Sequence, residues 1–144
     1  MVWIPGGSFV MGSDHHYPEE APAHRLELAG FWIDRAPVTN AQFLKFVKAT
    51  GYRTVAEQPA DPALYPGADP GQLLPASIVF VPPPGPVVGT DHYQWWQYIP
   101  GADWRHPEGP GSSIKGRDQH PVVHLAHADA ERSEEHTSEL QSPY

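Results

Sequence analysis

The sequence has 144 residues, with 9 Lys and Arg against 17 Asp and Glu, a net charge of −8, nine His, 18 Pro, 13 Gly and no Cys. That length suits one domain or part of a larger one, and the acidic balance argues against a nucleic-acid or anionic-membrane partner, whose surfaces select clustered Lys and Arg. No apolar run approaches the roughly 20 residues of a bilayer span, Met1 leads into VWIPGG rather than a basic segment, and without Cys there is no disulfide framework, thiolate metal site or cysteine nucleophile, so the reading is a soluble, cytoplasmic chain.

Val2 with Ile4, then Phe9 with Met11, form two apolar alternations around Pro5-Gly6-Gly7, which predicts a hairpin. Residues 14–23 turn polar and acidic, a surface loop carrying His15 and His16, whose Asp14, Glu19 and Glu20 read as solubilising charge because nothing apolar surrounds them to raise a carboxyl pKa. Arg25-Leu26-Glu27-Leu28 alternates, Ala29-Gly30 turns and Phe31-Trp32-Ile33-Asp34 resumes, which predicts a second hairpin. The clearest helix is Asn40 to Thr50. Thr39 is its N-cap and Gln42 completes a capping box; Phe43, Leu44, Phe46 and Val47 share one face, and Gly51 supplies a left-handed stop.

Residues 59–89 are rich in proline, which removes backbone donors and fixes φ, so only Ile78-Val79-Phe80-Val81 reads as a strand, at an edge. Residues 91–116 are rich in aromatics and Gly. His120 to Ala126 returns to an extended apolar pattern, and Asp129 would cap a helix from Ala130 that the sequence does not continue. His120, His124 and His127 have the spacing of metal ligands on a helix, but Pro121-Val122-Val123 favours a strand, on which the three would not converge; hydrogen-bonded or exposed histidines fit better. Residues 132–142, RSEEHTSELQS, lack an apolar face and match codon for codon the translation of a sequencing-library adapter. The domain is therefore read as 1–131, with 132–144 a disordered artefactual tail. No Gly-rich loop opens a helix, and no serine stands in a nucleophile elbow.

Three segments carry a resemblance: VWIPGGSFVMGS with EEAPAHRLELAGFWIDRAPVTNAQFLKFVKATGYRT, then WWQYIPGADWRHPEGPGSSI, then HPVVHLAHADA. Together they resemble the N-terminal portion of the formylglycine-generating enzyme, or sulfatase-modifying factor, family. The opening P-G-G-x-F-x-M-G and the V-T-N helix mark the wider superfamily, whereas Trp104 to Pro110, WRHPEGP, resembles the formylglycine generators themselves.

The resemblance implies an α+β domain with little regular secondary structure, related to C-type lectins and here truncated. It implies a parent oxidase that converts a cysteine of an unfolded sulfatase polypeptide, within a C-x-P/A-x-R motif, to Cα-formylglycine with O₂. Copper(I) on two cysteines and structural calcium are implied for the intact member. Those cysteines would lie beyond the end of this chain, so the fragment is expected to be inactive and to hold neither metal. What it would contribute is part of a peptide groove: Trp95, Trp96 and Trp104 as rigid faces and Arg105 as a fork of donors. The alternative is a non-catalytic sulfatase-modifying-type binding module or the equivalent domain of an ergothioneine-pathway sulfoxide synthase.

Overall fold

The computed structural model describes residues 1–87, 89 and 92–141, without the side chains of 92 and 137–141. It forms two units, Met1–Pro37 and Val38–Tyr144.

The first unit is one antiparallel ribbon with a single interruption. Strand β1 (Val2–Ile4) pairs with β4 (Phe31–Ile33), and β2 (Gly7–Met11) pairs with β3 (His24–Leu28), so neither predicted hairpin forms. Ile4 stands opposite Phe31 and Gly7 opposite Leu28, which skips two residues on each arm and carries the register through. Pro5 has no N–H to give a ladder. A Cβ on Gly6 would lie 2.8 Å from the Leu28 carbonyl oxygen, and one on Gly30 would lie 2.2 Å from the Trp3 ring. These glycines permit a close crossing of the two arms; they do not turn the chain. The reversal falls instead in the acidic loop, where Ser13 N–H donates to the Glu20 carbonyl at 3.1 Å and Ala23 N–H to Asp14 Oδ1 at 3.0 Å.

In the second unit helix α1 spans Asn40–Thr50 as predicted, with the Thr39–Gln42 capping box formed and Gly51 at φ 68°. Phe43, Phe46 and Val47 are buried with Trp104, whose ring meets Phe43 edge-on at 5.1 Å. The first two helical N–H groups, orphaned in any isolated helix, find partners far along the chain: Asn40 donates to the His120 carbonyl at 2.9 Å and Ala41 to that of Asp118 at 3.0 Å. Val122 N–H returns to the Val38 carbonyl at 2.9 Å. The strand predicted from His120 to Ala126 is therefore absent, reduced to an isolated bridge between Thr39 and Pro121. Pro121 cannot extend a ladder, and His124, at φ 59°, leaves the extended region.

Strand β5 (Ala76–Phe80) begins two residues before the predicted strand and pairs antiparallel with β6 (Trp96–Pro100), which the sequence left without an element. The prolines around them start short 3₁₀ turns, Pro62–Leu64 and Pro70–Leu73, each capped by the preceding Asp61 or Asp69. Helix α2 (His127–Gln141) starts before the predicted position and runs on through residues expected to be disordered. The pairs His127–Glu131 and Arg132–Glu135 and the contact of His136 with Phe46 accompany that extension. Among the described residues no helix is long and apolar enough to cross a membrane.

Asp129 lies within the first turn of α2 and is not the N-cap that the sequence predicts. Fully buried, its carboxylate accepts from Tyr52 Oη at 2.9 Å, Val55 N–H at 3.0 Å and Ala126 N–H at 2.8 Å, joining the segment after α1 to the start of α2. Burial, then the Asp129 hydrogen bond and charge, push the Tyr52 hydroxyl above its ordinary pKa. Asp129→Ala would strand three donors and cost about 3–5 kcal/mol, whereas Tyr52→Phe removes one bond and costs about 1 kcal/mol, both measured by urea unfolding. Because the folded state holds the Tyr52 proton more tightly than the unfolded one, its contribution is complete below about pH 10 and lost as pH rises through the raised value. Tyr52→Phe should flatten that alkaline decline.

Candidate functional site

Among the described residues, two cavities lie along β5. The first, about 540 Å³, is walled by Val55, Leu64, Leu74 and Leu125, with Ser77 and Tyr98 among its polar groups. The second, about 390 Å³, is lined by Ile78, Val79 and Phe80 of the same strand, by Trp96 of β6 and by Glu108 and Arg117. His124 borders both. Successive residues of one strand thus serve adjoining hollows with mostly apolar walls and sparse polar groups, the common character of ligand sites.

His124 is held from two directions. Its Nδ1 is 2.8 Å from Ser77 Oγ on β5, and its Nε2 is 2.9 Å from the Pro107 carbonyl oxygen in the loop 104–110. The left-handed backbone is costly for a non-glycine residue and persists where surrounding contacts over-determine it. Beyond Pro107, Glu108 pairs with Arg117. The hydrogen bond from Arg117, ahead of its charge, holds the Glu108 carboxyl below its usual range, and because both partners line the second cavity its edge there is a compensated ion pair.

The four residues read from sequence as a peptide wall do not form one surface. Trp96 is 41% exposed, lines the second cavity and meets Phe80 edge-on with ring centroids 5.6 Å apart. Trp95 is half-buried, and its backbone carbonyl accepts from Val81 N–H at 2.8 Å. Trp104 has no exposed surface: Phe43 meets its ring, and the Arg105 guanidinium sits 4.3 Å from the ring centroid. Arg105 is in turn paired with Glu57, whose other oxygen caps the Thr54 backbone N–H at 2.9 Å. The apolar bulk of Trp104 places it in the core, and its neighbour is drawn into stacking and ion pairing. Ser77 carries no local signal in the sequence, whereas the preference for a hydrogen-bonded rather than a metal-binding His124 agrees with its two contacts.

Among the described residues no three His, Cys, Asp or Glu side chains are placed to hold a metal, and the sequence has no thiolate for copper(I). The described residues therefore do not offer the donor set of a copper or a calcium site.

The sequence profile of the sulfatase-modifying factor enzyme 1-like domain matches residues 1–140. The chain belongs to this family. It is similar to the formylglycine-generating enzyme of Mycobacterium tuberculosis, 57% identical over 130 residues that cover 90% of this chain and 44% of the relative. It is also similar to that of Thermomonospora curvata, 44% identical over 139 residues, 90% of this chain and 41% of the relative. The mouse protein named inactive C-alpha-formylglycine-generating enzyme 2 is 37% identical over 139 residues, 90% of this chain and 40% of that protein. The chain thus spans less than half the length of these members of the sulfatase-modifying factor family.

The packing of Trp104 sets the expected mutational pattern. Trp104→Ala should cost about 3–5 kcal/mol of stability through loss of core volume, whereas Arg105→Ala, removing a half-exposed stacked cation, should cost about 1 kcal/mol. Chemical denaturation of the two variants side by side reads the difference.

Proposed function

We propose that this chain supplies one wall of a groove for an extended polypeptide, an unfolded sulfatase segment with a C-x-P/A-x-R motif, within a formylglycine-generating oxidase of lectin-like fold. The observation that carries the reading is the pair of adjoining cavities along β5, bordered in common by His124, on a chain 57% identical to a formylglycine-generating enzyme. Two hollows that share a border along one strand suit an extended ligand better than a compact one. In this reading Trp96, with Phe80, offers the aromatic contact, and Trp104 with Arg105 stiffens the loop behind it. The parent would oxidise the substrate cysteine with O₂, copper(I) and calcium being held by residues other than those described here. These residues bind and orient the peptide.

A second reading, a module that binds peptide without oxidising it, is supported by the similarity to the inactive mouse protein. Both readings expect Trp96→Ala to weaken binding of a C-x-P-x-R peptide about fivefold to tenfold, with an unchanged unfolding midpoint. Fluorescence titration checks this, and equal affinity in the variant would remove Trp96 from the groove. Incubating the full-length parent with copper(I), O₂ and the peptide separates the readings: mass spectrometry shows loss of the cysteine sulfur if the parent is an oxidase and an unaltered peptide if it is a binding module.

A further inference from the structure

We propose that Ser77 is a specificity-determining residue of the groove, a hydrogen-bond acceptor for one backbone N–H of the bound polypeptide, and that His124 is the positioning residue that keeps it an acceptor; the inference rests on the peptide-groove reading above.

The Pro107 carbonyl fixes the tautomer of His124. Its oxygen only accepts, so the His124 nitrogen 2.9 Å away, Nε2, carries the ring hydrogen. In the neutral imidazole Nδ1 is then a bare lone pair, and the Ser77 hydroxyl 2.8 Å away must donate to it. Ser77 has one proton, and it is committed. What the hydroxyl has left to offer the cavity is lone pairs. The ring cannot exchange its nitrogens without breaking both contacts, because its anchors belong to two different segments, β5 and the 104–110 loop, and its own backbone sits at φ 59°.

Two neighbouring polar groups likewise direct no proton into the cavity. Tyr98 Oη lies 3.0 Å from the Gln72 carbonyl and 3.1 Å from that of Leu74, both of which only accept, so its proton is directed there. Asp61 Oδ1 caps Ala63 N–H at 2.9 Å. A polypeptide laid along β5 presents N–H groups to one side at every second residue, and a wall whose hydroxyl is fixed as an acceptor favours a donor there and disfavours a carbonyl. Ser77 thereby sets the register in which the peptide lies.

The test titrates the full 144-residue chain with a heptapeptide centred on Cys-Ala-Pro-Ala-Arg and with a series in which each backbone N–H is methylated in turn. One methylation should lower affinity about fivefold to tenfold. Ser77→Ala should lower affinity for the unmodified peptide by a similar factor and be indifferent to methylation at that position, and Ser77→Thr, which keeps the hydroxyl, should restore it. Nitrogen-15 NMR of the His124 ring should report the Nε2–H tautomer. The methylation series is read on the wild-type chain and does not depend on a variant folding. Wild-type affinity in Ser77→Ala, losses from methylation and substitution that add, or an Nδ1–H ring would each overturn the proposal while leaving the groove intact. A heptapeptide that fails to bind the wild-type chain at all would sink both the groove reading and this one.

Discussion

A carboxylate with no exposed surface holds the second unit together. Asp129 accepts from Tyr52, Val55 and Ala126, three groups that local sequence gives no reason to meet. A buried carboxylate is tolerable only when donors replace its water, so these groups must be brought to it together. Their convergence fixes the end of the α1 segment against the beginning of α2. Val55, Leu125 and Ala126, which wall the larger cavity, are set by the same junction. The hollow is shaped by a polar buried point as much as by apolar packing.

The loop 104–110 depends on a parallel arrangement. Trp104 is sunk into the core of α1, Arg105 lies over its ring and reaches Glu57, and Pro107 presents its carbonyl to His124. Residues adjacent in sequence divide the labour: one anchors, one braces and one aims a backbone oxygen at the groove. A motif of this kind reads in one dimension as a cluster of recognition side chains. In three dimensions its most conspicuous member faces inward.

What the sequence disclosed follows from how local each signal is. Helix α1 was legible from end to end because its cap, its apolar face and its terminating glycine all lie within the segment itself. The ribbon strands were legible as extended runs, but their partners were not: nearest-neighbour hairpins were the simplest pairing, and Pro5 with the Gly6–Gly30 crossing favours the nested one. Strand β6 was hidden because its five residues, WQYIP, carry no clean alternation and end on a proline. Asp129 was recognised as a helix-start residue, while its long-range donors were invisible. Of the site, Trp96 was named and Ser77 was not, since a lone serine in a strand acquires meaning only from the histidine that approaches it 47 positions later.

The crossing in the first unit carries one further consequence. Gly6 and Gly30 face each other where the two arms pass, and a methyl group at either would collide with the backbone or with the Trp3 ring. The two positions are constrained differently: at Gly6 the obstacle is backbone, which cannot retract, whereas at Gly30 it is the rim of the half-exposed Trp3 ring. A side chain at position 30 is thus tied to the size of residue 3, while position 6 is the fixed pivot of the ribbon whatever its neighbours become.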